Sequence, residues 1–357
     1  MSLTIGIIGL PQSGKTTLFH ALTRLEESKR ASASSQKPNQ AHVLVPDKRL
    51  EQLSALFKPK KTTPATVDFL DVAASGTETE EKGALGKRVL GAFRTVDTLL
   101  EVVRCFDHPY LGEAKPLDDL ENLELELLIS DLTVIQNTLE RNKKMAADAR
   151  AWFEGVAKTL EDGQRPAPDV MSKMPESAKP FAQSMALLVL KPGIVCANIS
   201  DDLIGSEDSD ARVAAARKWA EANHRQFFTA CASIEQEIAQ LEPDEATAFM
   251  QDLGIQESGL DKIIQAAYRS LDLMTFLTVG EDECRAWTVR VGACAPEAAG
   301  KIHSDLEKGF IRAEVCTAHD LLELKTTAAC RDKGLLRLEG KTYVVQDGDV
   351  LNIRFNV

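Results

Sequence analysis

Apolar and β-branched residues run from Leu3 to Ile8, stop at a turn-rich stretch, and give way at Lys15 to a helical spacing with Leu18, Ala21 and Leu22 on one face. This is a strand, a loop and a helix. Further strand-like runs occupy His42 to Val45, Thr66 to Leu70, Leu99 to Phe106, Ile194 to Ile199 and Gln226 to Ala230, several of them separated by helical stretches. Strands that alternate with helices predict an α/β fold built on a mostly parallel sheet covered on both faces.

The alternation is interrupted between Pro116 and Lys191. Leu125, Leu128, Leu132, Ile135 and Leu139 follow coiled-coil spacing, and the stripe resumes at Ala146, Ala149, Phe153, Val156 and Leu160. Gly163, Pro166 and Pro168 break this long helix, after which Met174, Ala178, Phe181, Met185 and Leu188 repeat the stripe. The pattern predicts an antiparallel helical hairpin inserted into the sheet domain. Beyond Ser270 it changes again. Ala286 to Val291 alternates as a strand, Pro296 to His303 is helical, and Tyr343 to Gln346 and Val350 to Phe355 read as two strands joined at Asp347-Gly348-Asp349. The expected modules are a domain formed by 1–116 and 190–274, the insertion 117–189, and a small α+β module at 275–357.

Composition adds limits rather than a function. The chain has 357 residues, 44% hydrophobic and 27% charged, which is ordinary for a globular protein of two or three domains. A net charge of -12 argues against a protein that coats nucleic acid with its whole surface. The first 61 residues nevertheless hold ten basic side chains against four acidic ones, a local cationic bias. From 275 to 357 eleven basic residues face thirteen acidic ones, so no electrostatic platform for nucleic acid is evident there. Seven scattered cysteines with no C-x-x-C suggest neither a disulfide framework nor a zinc site, and fit a reducing cytoplasm. No segment reads as an export signal or a membrane span.

The strongest chemical signal is Gly9-Leu10-Pro11-Gln12-Ser13-Gly14-Lys15-Thr16, a G-x-x-x-x-G-K-[ST] sequence after a strand and before a helix. In that context backbone N–H groups of Gln12, Ser13, Gly14, Lys15, Thr16 and Thr17 converge on phosphate oxygens. Lys15 reaches the β and γ phosphates, and Thr16 ligates Mg²⁺. Asp71 ends its strand where a Walker-B aspartate holds the same ion, although Ala74 stands where a GTPase switch has glycine. Asn198-Ile199-Ser200-Asp201 lies at the carboxyl end of a later strand, where ligands bind open α/β sheets, and resembles an N-K-x-D base-reading motif with Ile199 replacing lysine. Asp201 in that role favours guanine. A turn-capping role accounts for the same residues equally simply.

Together with GLPQSGKTTLFHALT, VPDKRL, DFLDVA, VVRCF, PLDDLENLELELLISDL, FMQDLGIQESGL, ECRAWTVRVGA, IHSDLEKGFIRAEV and RLEGKTYVVQDGDVLNIRFNV, these residues resemble the YchF branch of the Obg-like P-loop NTPases from end to end. The resemblance implies a GTPase-like P-loop domain, an inserted coiled-coil arm and a C-terminal ubiquitin-like TGS domain. It also implies a monomeric, cytoplasmic, ribosome-associated protein with contacts to RNA, and none to DNA or membrane. It implies ATP preferred to GTP, with adenine read by main chain near Asn198, Ile199 and Asp201, and slow Mg²⁺-dependent hydrolysis through Lys15, Thr16 and Asp71. Ser35 aligns with the switch threonine that completes the Mg²⁺ shell. Three departures bear on turnover. Gln12-Ser13 replaces the usual Asn-Val and argues against potassium activation. Ala74 replaces the switch glycine, and Phe106 to Gly112 replaces a longer loop whose histidine is proposed to assist catalysis, leaving His108 as a substitute or as an ordinary loop histidine. A non-hydrolysing nucleotide sensor, or a GTP-preferring member, is the alternative. A metabolic kinase is disfavoured because no second substrate motif is found.

Overall fold

The structure is a computed structural model that describes residues 3–23, 39–72 and 85–356. Its chain divides into two compact units, Met1–Val43 with Asp68–Ala266, and Leu44–Val67 with Ala267–Val357.

The first unit is built on a sheet of strands β1 (Leu3–Ile8), β2 (Asn39–Leu44), β4 (Thr66–Asp71), β5 (Thr98–Arg104), β6 (Gly193–Asn198) and β7 (Gln226–Ala230), in the order β2-β4-β1-β5-β6-β7. The strands β1, β5, β6 and β7 are parallel neighbours, with Ile8 opposite Glu101 and Arg104 opposite Asn198. Their carboxyl ends therefore share one edge. The unit's helices are α1 (Lys15–Thr23), α3 (Gly86–Phe93), α4 (Pro116–Arg141), α5 (Ala147–Glu161), α6 (Lys179–Met185), α7 (Ala211–Ala222), α8 (Ala232–Ile238), α9 (Pro243–Asp252) and most of α10 (Gly259–Ser270); α2 (Lys48–Phe57) lies in the second unit. Every residue of β5 and β6 is buried, as expected of central strands covered on both faces.

The insertion departs from its expected shape. The long helix stops at Arg141, and the chain reverses through 142–146, so α4 and α5 form the antiparallel pair. Arg150 fixes that reversal by donating to the carbonyls of Leu139 and Asn142, each at 3.1 Å. The stripe from Met174 to Leu188 forms 3-10 turns at Pro168–Lys173, Glu176–Ala178 and Leu188–Leu190 plus the short α6, because prolines at 166, 168, 175 and 180 deny it a continuous helix. Nor is the insertion a separate body. Phe93 of α3, Leu127 of α4, Phe153 of α5 and Leu188 belong to one buried cluster.

Charged groups gather at the base of the arm, where Arg225, just before β7, approaches Glu124 of α4 at 3.9 Å. Arg165 grips Glu124 of α4 through both ends of its guanidinium, at 2.7 and 2.6 Å, and donates to Val189 O at 2.7 Å. Glu101 of β5 faces Arg225 at 3.2 Å, and both are almost wholly buried. Burial pushes the Glu101 carboxyl upward, with Arg225 and Arg165 opposing that shift. Gly193 is required beside them, since a Cβ there would lie 2.7 Å from the Arg225 guanidinium.

The second unit holds a mixed six-stranded sheet, ordered β11-β10-β12-β8-β9-β3, from β3 (Lys61–Thr63), β8 (Leu273–Thr278), β9 (Glu283–Arg290), β10 (Phe310–Thr317), β11 (Arg337–Glu339) and β12 (Asp349–Phe355). Helix α2 (Lys48–Phe57), α11 (Ala295–Ile302), α12 (Ser304–Lys308), α13 (Ala318–Leu324) and α14 (Thr327–Asp332) accompany it. Its core gathers Met274, Phe276, Val289, Phe310, Val315 and Leu351. Two features differ from expectation. Segment 44–67, read from sequence as part of the nucleotide-binding domain, supplies α2 and β3, and β3 pairs in parallel with β9. Tyr343 to Gln346 is not a strand but makes an isolated bridge to Cys294, because the Tyr343 hydroxyl and the Gln346 N–H both turn to Asp349 Oδ2.

This unit also disperses the N-terminal cationic bias. Arg49 pairs with Asp47 and Asp347, Lys60 with Asp282 at 2.8 Å and Lys61 with Glu283 at 3.7 Å. Arg24, Lys29, Arg30 and Lys37 lie outside the described residues. No helix among the described residues is long and apolar enough to cross a membrane.

Candidate functional site

The turn after β1 lies at the sheet's carboxyl edge and leads directly into α1. Gln12 is exposed, with φ 61°, and Gly14 has φ 94°, a conformation suited to glycine. Ser13 N donates to Leu10 O at 3.3 Å, Leu18 N donates to Gly14 O at 2.9 Å as the first turn of α1 forms, and Lys15 Nζ reaches back to Leu10 O at 2.7 Å. Gly9 is enforced by crowding, for a Cβ there would sit 2.3 Å from Val102 O. Thr16 is exposed and Thr17 half-buried at the start of α1.

Asp71, at the end of β4, is 1% exposed, and neither of its carboxylate oxygens has a hydrogen-bond partner among the described residues. Burial raises its pKa, while the charge of Lys15 and the nearby polar groups of Asn39 and Thr16 oppose the rise. Lys15 is affected reciprocally: burial lowers its pKa to about 8, and Asp71 pulls it back upward. A buried carboxylate without donors, close to a threonine hydroxyl and a phosphate-binding lysine, suits a hydrated Mg²⁺, which takes few protein ligands. Asp71 and Thr16 fit that ion. Among the described residues no cluster of three His, Cys, Asp or Glu offers an all-protein metal cage. Ser35 and Ala74 lie outside the described residues.

The segment after β6 does not assemble as one base-reading surface. Asn198 is buried and faces the phosphate loop, donating from Nδ2 to Ser13 O at 3.0 Å and accepting at Oδ1 from Ala232 N at 3.0 Å. Ile199, expected at the nucleotide, packs its side chain inward with Cys105, Val213 and Cys231, and its N–H donates to Ala230 O at 3.0 Å. Asp201 is exposed at the start of a 3-10 turn and accepts from the neighbouring Asp202 N at 3.1 Å.

Sequence reasoning missed three participants. Ala232 begins α8 and completes the Asn198 link, a role signalled only by its place just past the end of β7. Glu235 accepts from Ser258 Oγ at 2.7 Å and Gly259 N at 2.6 Å, fixing the start of α10. Arg104 closes the loop after β5 by donating to the carbonyls of Phe106, Gly112 and Glu113 at 2.9, 2.9 and 3.2 Å. Within that loop His108 exchanges backbone bonds with Gly112, and its Nδ1 accepts from Tyr110 N at 3.2 Å.

Comparison with known proteins agrees with this arrangement. The family model YchF-GTPase_C, described as a protein of unknown function (DUF933), matches residues 273–356. The ribosome-binding ATPase YchF of Bacillus subtilis (strain 168) is 41% identical over 100% of both chains, and that of Escherichia coli O157:H7 is 36% identical over the same shares. Obg-like ATPase 1 of Caenorhabditis elegans is 33% identical over 99% of this chain and 92% of its own. The solved structure of the Schizosaccharomyces pombe YchF GTPase superposes with a TM-score of 0.81 at 30% identity, covering 99% of this chain and 98% of that one. Full-length identity at this level, on a P-loop bound to its base-side helix by Asn198, makes this chain a member of the YchF/Obg-like ATPase family.

Proposed function

We propose that this protein is a cytoplasmic, ribosome-associated P-loop NTPase that binds and slowly hydrolyses ATP, and GTP less well. The observation that carries the reading is the buried Asp71 carboxylate, close enough to Lys15 for each charge to shift the other, beside a phosphate loop of suitable backbone geometry. The N–H groups from Gln12 to Thr17 and the amino end of α1 hold the phosphate oxygens, and Lys15 places its ammonium against the β and γ phosphates. Thr16 and Asp71 would hold Mg²⁺, with Ser35 as the proposed third group, and the ion would supply charge neutralisation across the β and γ oxygens. Catalysis is then positioning and electrostatics for in-line attack by water, and without an evident general base the turnover is slow. Association with ribosomes, and ATP as the nucleotide, are supported by the bacterial relatives, which are named ribosome-binding ATPases. Asp201 stands in solvent rather than at a formed guanine site, which is compatible with adenine reading by main chain near Ile199.

A non-hydrolysing nucleotide sensor is favoured by one observation, the fixed loop around His108, which leaves that imidazole engaged with Tyr110. Phosphate release from ATP and from GTP separates the two, measured in potassium and sodium buffers, with and without ribosomes, beside Lys15→Ala. ATP turnover that disappears in the variant establishes the enzyme. Binding without turnover above the variant in every condition establishes the sensor.

A further inference from the structure

Helix α3 stands between the phosphate loop and the helical arm and touches both. On one side Leu85, Val89 and Phe93 face Pro11, Lys15 and Val72 across a small apolar recess. Phe93 rests directly on β1: a Cβ on Gly6 would come within 2.6 Å of its ring. That end of the helix is held against the sheet, while the Leu85 end borders the recess beside Lys15.

On its other side α3 is attached to α4 at both ends. Leu85 N donates to Glu126 Oε2 at 3.0 Å. Immediately after the helix, Arg94 donates to Asp131 Oδ1 at 2.7 Å and to Ser130 Oγ at 2.8 Å, and reaches Met185 O at 3.3 Å and Ala186 O at 3.4 Å. Asp131 is fully buried and accepts from Val189 N at 2.8 Å through its second oxygen. A carboxylate held in this way cannot slide past its partner without leaving a charge unpaired out of water. Any displacement of α3 is therefore carried to α4, whose 26 residues extend about 39 Å at the rise of an α-helix.

We propose that α3 is the relay by which the occupancy of the phosphate loop sets the orientation of the helical arm. The inference rests on the nucleotide-binding reading above. Ligand phosphates draw Lys15 away from Leu10 O, the recess lined by Pro11 and Lys15 changes shape, and the Leu85 end of α3 follows, pivoting on Phe93. The linkages to Glu126 and Asp131 convert this small rotation into a swing at the far turn, 142–146. Coupling of this kind is reciprocal, so a partner that holds the arm in one orientation also shifts nucleotide affinity.

The test is a pair of spin labels at Lys144→Cys in the arm's turn and Glu221→Cys on α7, in the full chain with Cys294→Ser to silence the one cysteine that is not buried. Label distances are measured without nucleotide and with Mg²⁺ and a non-hydrolysable ATP analogue, while analogue binding is titrated on the same samples. The expected result is a shift of several ångströms in the otherwise unchanged chain on binding. Arg94→Met/Asp131→Leu/Glu126→Ala should reduce the shift to less than half, with analogue affinity retained within a few-fold. Glu101→Leu/Arg225→Met, which removes Arg225's 3.9 Å approach to Glu124 at the arm's base but leaves α3 attached, should preserve it. If the triple variant does not melt cooperatively, Arg94→Lys keeps the charge while losing the forked contacts to Ser130 and the two carbonyls, and should show a reduced shift. Bound analogue with no distance change overturns the relay, as does a full shift in the triple variant or an equal loss in the arm-base variant. Failure of the otherwise unchanged chain to bind the analogue overturns the nucleotide reading and the relay with it.

Discussion

Asn198 and Ser13, 185 positions apart, are joined by one buried hydrogen bond from Nδ2 to a carbonyl of the phosphate loop. The other end of the same amide holds Ala232 at the start of α8. One side chain thus keeps the phosphate loop in register with the segment that follows β7. Asn198→Ala leaves a buried carbonyl and a buried N–H without partners, at a cost of about 1–3 kcal/mol. Affinity for ATP and GTP should fall together by about ten- to a hundredfold, read by displacement of a fluorescent nucleotide. Loss confined to one nucleotide would contradict a role through the phosphate loop.

Gly14 has no room for a side chain. With φ at 94°, a Cβ there would fall 2.0 Å from Asn198 Nδ2. Gly14→Ala therefore combines backbone strain of about 1–3 kcal/mol with the loss of the Asn198 link. Nucleotide binding should drop at least as far as in Asn198→Ala, and the midpoint of thermal unfolding should fall. Near-normal ATP affinity in this variant would show that the loop adopts another conformation.

Lys15 gives the site a measurable proton balance. Its half-buried ammonium has its pKa lowered to about 8, so the unfolded chain binds more protons here between about pH 8 and 10.5. The stability cost of its charge is fully present below about pH 8 and is relieved as pH rises through that window. Phosphates favour the charged form, so binding above pH 8 should take up a proton at Lys15. Calorimetric titration in two buffers of different ionisation enthalpy should show this uptake growing from pH 7 to pH 9, and Lys15→Met, if it still binds, should lack it. Uptake that does not change with pH would refute the assignment.

Glu101 and Arg225 form a buried pair whose members cannot be lost singly. Arg225→Met leaves Glu101 charged or protonated in the core, and should destabilise the protein by about 3–5 kcal/mol. The double change Glu101→Leu/Arg225→Met should recover most of that loss, measured by denaturant unfolding of all three variants. A double variant no more stable than the single one would show that Arg225 serves Lys191 O and Glu124 more than it serves Glu101.

Much of the first unit was legible because local signals and tertiary demands coincide there. Apolar β-branched runs became the buried strands β1, β5 and β6, and the glycine spacing around Lys15 anticipated the turn after β1. The arm's reversal at 142–146 was missed because the apolar stripe continues through Asn142 almost in phase, and periodicity carries no information about where a helix folds back. The second unit's claim on 44–67 was hidden for a different reason. Pairing of Lys61–Thr63 with Glu283–Arg285 depends on a distant strand, and neither segment advertises the other. Ile199 shows the same limit at the site: N-I-S-D spacing resembles a ligand motif, yet whether a side chain faces a base or the core depends on what packs behind β6, here Val213 and Cys231.

The far-separated makeup of the second unit also fixes an order of events in synthesis. Lys60 and its partner Asp282 are 222 positions apart. At about 5–20 residues per second, 44–67 emerges many seconds before β9, with residues 68–266 of the first unit made in between. Segment 44–67 must wait, with Leu50 and Leu53 lacking the C-terminal residues of the unit that buries them. A chain cut short after Ala266 would carry that apolar face uncovered, so premature termination should yield a species drawn to chaperones rather than a working nucleotide-binding fragment.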